Sequence, residues 1–248
     1  MSEVAVIIPA RMESSRFPGK PLAKLLGREM ILHVLDRVTD VVSSEITYVA
    51  TDSLDIANLI ERSGFQVVMT GDHPTGTDRL AEANTVINAP YVLNIQGDEP
   101  AFNPEDISAS IEYLKSSGFE AITGYCSTIG EAEFHDTNTI KVAFSRGGKL
   151  LYISRASIPG SKQGKGIEFH RQVCMYGYTK DALMNFAKMP RGSFEQIEDH
   201  ELLRFLENDV PVGMIELSDW SVPVDTPEDI ALAEKQLRDK FFLTNLID

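Results

Sequence analysis

Cysteine is scarce in this chain: Cys126 and Cys174 are the only two, they lie far apart, and they form no CxxC pair. That spacing points to two buried thiols in a reducing compartment and leaves no thiol-pair motif. Long apolar runs are missing too, and nothing approaches the ~20 residues needed to cross a bilayer. The opening apolar stretch is short, follows Glu3 and has no basic leader, so no signal peptide is expected. Positive charge is in deficit, with 23 Lys/Arg against 37 Asp/Glu and a net charge of -14, which argues against a general nucleic-acid-binding surface. A cytoplasmic protein with neither membrane nor nucleic acid as partner is the expectation. Neither a Walker A sequence nor a GxGxxG turn follows the first strand-like segment, which weighs against P-loop NTPases and dinucleotide oxidoreductases.

The overall composition, 43% hydrophobic and 24% charged over 248 residues, suits one substantial core. The acidic average hides an asymmetry. Residues 1–37 carry Arg11, Arg16, Lys20, Lys24, Arg28 and Arg37 against four acids, which is +2 locally and leaves -16 for the remainder. A cationic island in an acidic protein suits a compact anion such as a triphosphate, or else is a solvated surface.

Periodicity then predicts an α/β fold. Residues 4–9 form an apolar run typical of a strand buried on both faces. Helix-spaced apolar residues follow over 29–42, then strand 46–50, helix 53–63, strand 66–70, helix 77–88 and strand 91–95. Asn103-Pro104 opens another helix, Asn as a cap and Pro in the first turn. This alternation predicts a mostly parallel sheet flanked by helices. Segments 139–145 and 149–154 flank Gly147-Gly148 as a β-hairpin. A Gly/Lys-rich loop at 160–166 and a strand-like 173–178 follow. We read 130–180 as a small β-rich lobe and a dimer contact. Ser193-Phe-Glu-Gln196 matches a capping box opening a helix through Leu206, and Thr226-Pro-Glu-Asp229 opens the last helix.

Chemistry concentrates in loops after strands. The stretch from Pro9 to Leu22 (PARMESSRFPGKPL) supplies two arginines, a lysine, two serines and backbone amides beyond the first strand, where open α/β sheets bind ligands. It is an anion site or a mobile basic loop. Asn94-Ile-Gln-Gly-Asp-Glu-Pro100 follows another strand. Asp98 there is placed to hold Mg2+, which needs few protein carboxylates, with Glu99 either behind it or solvated. Asp225 is a second metal carboxylate or simply an acid at a helix start. Thr70–Arg79 (TGDHPTGTDR) reads a base and ribose, or is a turn with caps at Thr75 or Thr77. Tyr176, in a strand, is by residue type a core residue.

In order along the chain, IPARMESSRFPGKPL, VATD, MTGDHPTGTDRLAE, NIQGDEP, SRASIP, MYGY and VDTPEDI resemble the CMP-Kdo synthetases, the 3-deoxy-manno-octulosonate cytidylyltransferases. The resemblance runs nearly end to end and implies a single Rossmann-like nucleotidyltransferase domain over 1–248, homodimeric and magnesium-dependent, acting on CTP and an acidic 3-deoxy-octulosonate sugar for lipopolysaccharide assembly. It implies that Arg11 and Lys20 hold the phosphates, and that Pro9, His73, Gly76, Thr77 and Arg79 surround the nucleoside. It implies Asp98 and Asp225 as metal ligands and, with Arg11 and Lys20, as the catalytic set. Arg16, Gln96, Arg155, Tyr176 and Glu201 are implied to face the sugar, an arginine such as Arg155 suiting its carboxylate.

Two departures fall on the sugar side. Gln172 stands where the family usually has a histidine, and Glu201-Leu202 where Glu-Gln is common; upstream, Asp199 and His200 replace apolar residues. An ammonium group favours carboxylates and tolerates a protonated histidine poorly. Gln172 and Asp199 therefore point to the 8-amino-8-deoxy sugar, with ordinary Kdo the alternative. The rival classes are a nucleotide-sugar glycosyltransferase and a non-catalytic CTP-binding regulatory module.

Overall fold

The computed structural model describes residues 3–14, 16–160, 162, 168–221 and 223–242, with the side chains of 241 and 242 left aside. Ser15 of the first loop, and all of the 160–166 loop except residues 160 and 162, lie outside the described residues.

Strand β1 (Val4–Ala10) is buried along almost its whole length, and its alternation serves two layers at once. Ala5 and Ile7 enter one core cluster while Val6 and Ile8 enter the other, as the two-residue side-chain period of a strand requires. After β1 a small hairpin, β2 (Lys24–Leu25) and β3 (Arg28–Glu29), leads into α1 (Met30–Thr39). β4 (Thr47–Thr51), α2 (Leu54–Arg62) and β5 (Gln66–Met69) continue the alternation. α3 (Gly76–Ile87) and β6 (Tyr91–Ile95) follow, then α4 (Glu105–Ser116) and β7 (Ala121–Ile129). α5 (Glu131–His135) precedes a hairpin of β8 (Lys141–Phe144) and β9 (Leu150–Ser154). The long β10 (Glu168–Thr179), α6 (Lys180–Phe186), α7 (Ser193–Glu198), α8 (Leu202–Glu207), β11 (Val212–Glu216) and α9 (Ile230–Leu237) complete the chain.

The main path of the sheet runs β11-β7-β10-β6-β1-β4-β5. Every neighbouring pair on it is parallel except those made by β10, which is antiparallel to both β6 and β7. The sheet is therefore mainly parallel, as the alternation predicts, with helices on both faces. α3, α6 and α8 cover one face, and α1, α2 and α4 the other. The chain moves outward from β1 to β4 and β5, then returns to β6 on the far side of β1. The crevice beyond the carboxyl ends of β1 and β6 is thus a topological switch point, where such sheets bind ligands.

The predicted hairpin is present, β8 against β9, with Gly148 at a φ of 76°. β8 joins β10 only at His170 and Arg171. The rest of β10 is an interior strand of the main sheet, so residues 130–180 are divided between a projecting hairpin and the sheet itself. Among the described residues no helix is long and apolar enough to cross a membrane.

The predicted helix from Ser193 through Leu206 is not continuous. Asp199 takes a left-handed conformation, φ 49°, and splits it into α7 and α8. Nor does Ser193 cap it: Glu207 reaches across, its carboxylate accepting from the amides of Phe194 (3.0 Å) and Glu195 (3.1 Å). At the other end of the chain, the Asp229 carboxylate accepts from the amides of Thr226 (2.8 Å) and Asp225 (3.0 Å). That box opens a short 3-10 turn, Pro227–Asp229, ahead of α9.

Candidate active site

A cleft of about 600 Å³ opens at the switch point. Its floor comes from the ends of β1 and β6, and the close approach of these segments depends on Gly97. A Cβ there would stand 3.2 Å from the Pro9 carbonyl oxygen and 3.3 Å from Ile31 Cδ1. The first loop folds back over this floor, the Gly19 amide donating to the Met12 carbonyl (2.9 Å). Gly19, at φ 73°, then starts the short turn Lys20–Leu22, which aims Lys20 inward.

The Lys20 ammonium sits 2.5 Å from Asp98 Oδ2 and 3.4 Å from Asp225 Oδ1. Arg16 approaches the same Asp225 oxygen at 3.1 Å. The Val224 amide donates to the Asp98 carbonyl (2.9 Å), which fixes the two acids side by side although 127 positions separate them in the chain. Two carboxylates closing on one cation form a cation seat. No group of three or more His, Cys, Asp or Glu that could hold a metal occurs among the described residues. A pair of carboxylates is compatible with Mg2+, which keeps several waters and needs few protein carboxylates.

Glu99, next in the chain, is buried rather than solvated. Burial pushes its carboxyl up to about 7, opposed by a hydrogen bond that the Ser221 hydroxyl donates. It lines a small hollow behind the cleft with Cys174 and Ser221.

The loop 70–79 forms another wall. Thr75 caps α3, accepting from the Asp78 amide (3.2 Å). Arg79 is buried and already paired, donating to Asp52 (2.6 Å) and to the Thr70 hydroxyl (2.6 Å), so it braces this loop. His73 is held by Glu82, whose carboxyl is lowered chiefly by that hydrogen bond. Glu201 reaches in from the start of α8. Its two oxygens accept from the amides of Gly76 (3.1 Å) and Thr77 (2.9 Å), placing an anion at the positive end of a twelve-residue helix. Residues assigned to the nucleotide and to the sugar are thereby joined.

Arg155 owes its position to the break at Asp199. In a continuous helix the Glu198 carbonyl would accept from the Leu202 amide; here it accepts from Arg155 Nε at 2.7 Å. The guanidinium also donates to the carbonyls of Thr137 (3.2 Å) and Asp199 (3.5 Å). The Glu198 carboxylate meanwhile takes the Arg155 amide (2.8 Å) and the Ser154 hydroxyl (2.5 Å). All three guanidinium partners are neutral, and among the described residues no carboxylate lies within ion-pair distance of it. Its positive charge remains available to an anion in the cleft.

The lining thus includes Pro9, Arg11, Arg16, Lys20, His73, Gly76, Arg79, Gln96, Asp98, Arg155, Asp199, Glu201 and Asp225. It excludes three residues expected at the substrates. Thr77 is buried, and its side chain meets the Tyr178 hydroxyl. Tyr176 packs against the core, opposite Asn94 of β6. Gln172 is buried behind the wall, donating to Thr123 (3.2 Å) and accepting from His200 (2.8 Å). Ala10, Glu13, Ser14, Pro21, Thr75 and Gly97 line the cleft as well; all six lie inside the loops singled out by sequence.

The Gln172–His200 contact unites two of the departures noted above. Burial, aided by the nearby Arg155 charge, pushes His200 down to about 4 from its ordinary 6.5. The ring is neutral, accepting the Leu202 amide at Nδ1 (3.3 Å) and donating from Nε2 to Gln172. The folded chain therefore refuses a proton that the unfolded chain takes up below pH 6.5. This contribution to stability is complete above pH 6.5 and is lost as pH falls toward 4. His200→Leu should accordingly lose about 2 kcal/mol less stability than the parent between pH 7 and 4.5, read from urea unfolding. Parallel pH slopes for the two proteins would show that His200 charges freely.

Comparison with known proteins agrees with this arrangement. A family model described as cytidylyltransferase matches residues 5–215. A 3-deoxy-manno-octulosonate cytidylyltransferase of Syntrophotalea carbinolica is 38% identical, covering 95% of this chain and 98% of that protein. An 8-amino-3,8-dideoxy-manno-octulosonate cytidylyltransferase of Shewanella pealeana is also 38% identical, covering 94% and 98%. Among solved structures, a CMP:2-keto-3-deoxy-manno-octonic acid synthetase complexed with CTP superposes with a TM-score of 0.90 at 31% identity, over 97% of this chain and 100% of that one.

Proposed function

The chain belongs to the cytidylyltransferase family, and from that premise we propose that it joins CMP from CTP to a 3-deoxy-octulosonic acid sugar, releasing pyrophosphate. The observation that carries this reading is the content of one cleft: two carboxylates closed on Lys20, flanked by Arg11 and Arg16, together with an Arg155 that, among the described residues, has no carboxylate within ion-pair distance. The first group suits a nucleoside triphosphate with its metal, and the second suits an acid sugar.

In the reaction the anomeric hydroxyl oxygen forms a bond to the α-phosphorus. The bond from that phosphorus to the β-phosphate oxygen breaks, pyrophosphate leaves with the electron pair, and the hydroxyl proton is released. Arg11 and Lys20 stabilise the charge growing on the leaving pyrophosphate, and Arg155 orients the sugar by its carboxylate. Asp98 and Asp225 would hold Mg2+, whose chemistry when bound is to acidify the attacking hydroxyl and neutralise phosphate charge. No protein nucleophile takes part.

The 8-amino sugar is the favoured substrate. Asp199 is exposed in the cleft next to Arg155, and no hydrogen bond or ion pair among the described residues engages its carboxylate. Arg155 and Asp199 together complement a sugar that carries both a carboxylate and an ammonium. A homodimer and a cytoplasmic setting complete the reading. The former is supported by exposed Ile129, Leu151, Phe194 and Ile197 on β7, β9 and α7, and a one-chain mass in solution would remove it.

Pyrophosphate release with CTP and Mg2+, comparing Kdo with its 8-amino-8-deoxy analogue, tests the proposal. Preference for the amino sugar is expected, weakened by Asp199→Asn. Equal use of Kdo would make Asp199 incidental, and silence with both would return the chain to a binding or glycosyl-transfer role.

A further inference from the structure

Lys141 is fully buried, yet among the described residues no carboxylate lies within ion-pair distance of its ammonium. Its ammonium donates instead to three backbone carbonyls, those of Asp136 (2.8 Å), Thr139 (2.8 Å) and Arg155 (2.7 Å). Burying a cation with no carboxylate in direct contact is costly; the more distant charges of Asp136 and Glu198 offset part of that cost, and three good hydrogen bonds offset more. Such a residue is a poor device for stability alone, since an apolar side chain in the same strand would need no such compensation. What the ammonium provides is three donors on one atom, enough to gather carbonyls from three places on the chain.

The three carbonyls lie on two segments, and both segments set the geometry of Arg155. The first is the Arg155 carbonyl, so the root of that side chain is tied down. The second is the loop 136–139, gripped at Asp136 and Thr139 on either side of Thr137, and the Thr137 carbonyl accepts from the Arg155 guanidinium. Lys141 therefore controls both where the Arg155 side chain begins and one of the acceptors that aims its tip. The other acceptors come from Glu198 and Asp199 at the α7 break, and Ser154, opposite Lys141 in the β8–β9 register, donates to the Glu198 carboxylate. The hairpin and the helix break together hold one guanidinium by neutral groups only.

We propose that Lys141 is a positioning residue for sugar recognition, holding Arg155 in the pose that meets the sugar carboxylate. This rests on the reading of Arg155 given above.

The test is a double-mutant cycle of Lys141→Met and Arg155→Ala, following the sugar KM, the CTP affinity without sugar, and kcat. Lys141→Met alone should raise the sugar KM about 10-fold or more, with CTP affinity unchanged within about twofold; on an Arg155→Ala background it should add almost nothing, because coupled residues do not contribute independently. An equal loss on both backgrounds, or an unchanged sugar KM, overturns the proposal. If Lys141→Met does not fold, Lys141→Gln, which keeps two donors, is read in the same cycle; if neither folds, the lysine serves stability and the proposal falls. Should Arg155→Ala itself leave the sugar KM unaltered, the reading of Arg155 fails first, and that outcome is distinct from a silent Lys141.

Discussion

Asp98→Ala is expected to lower pyrophosphate release by at least about a thousandfold, while CTP without metal binds no more weakly than before. The asymmetry follows from the charges in the seat. Asp98 and Asp225 face Lys20 and Arg16, two negative groups against two positive. Without Asp98 a single carboxylate stands before two cations, and the local charge turns positive. That change opposes a divalent ion and attracts a triphosphate. It also removes the nearer of the two groups that hold Lys20, leaving the ammonium free to settle on phosphate. Loss of turnover together with intact CTP binding in the presence of a chelator would therefore locate the defect at the cation seat. Retained turnover would mean that Asp98 only neutralises Lys20, and the assignment would fail.

How much of this was legible in the sequence depends on the range of each interaction. The strands whose ends carry Pro9–Arg11 and Gln96–Asp98 announce themselves as short apolar runs, because burial on both faces leaves no room for alternation. The loops after them concentrate donors and acids that have no use in a core. Local chemistry also offered Thr75 or Thr77 as a cap, of which Thr75 caps α3, and placed a helix start at Thr226–Asp229, though not the reciprocal Asp229 bonds. What escaped is long-range or depends on a backbone exception. β10 alternates well enough to be read as a strand, but nothing in it says that it runs antiparallel in the middle of the sheet. Glu201 holds amides 124 and 125 positions away, and its residue type gives no hint of that. Gln172 and His200 each look like a departure when read alone; only the fold shows them as a donor and acceptor pair. The break at Asp199 contradicts a run of good helix formers. It persists because the carbonyls it frees are taken up by Arg155, a tertiary gain that local propensity does not contain. Lys141 left no pattern at all, since a lone lysine in a strand is ordinarily a surface residue.

Arg204 carries the last and largest stability effect. Its guanidinium is 2% exposed and stacks over the Phe186 ring at 3.9 Å. It grips Glu195 with two bonds (2.8 and 2.7 Å) and Asp78 with another at 3.1 Å. Glu195 is fully buried on α7, and Asp78 is buried in the first turn of α3. Arg204→Met fills much the same space but leaves Asp78 with the Thr75 hydroxyl (2.7 Å) and no cation, and Glu195 with Arg191 alone (3.0 Å), a loss of about 3 kcal/mol. For a chain of this length that is on the order of 10 °C in Tm. The sign of a second change separates charge from packing. Adding Glu195→Gln to Arg204→Met removes a buried charge left with one half-exposed partner, Arg191, and should restore part of the lost Tm, although the same substitution in the parent, where Arg204 would lose a partner, should lower it. The effect also bears on the cleft, because Arg204 ties the start of α3, with the amides that Glu201 holds, to the helices on either side of Asp199. A small Tm loss for Arg204→Met, under about 3 °C, would mean that Thr75 and Arg191 suffice as partners for Asp78 and Glu195. In that case the triad does not lock the two walls together, and the Glu201 contact with Gly76 and Thr77 would have to hold them unaided.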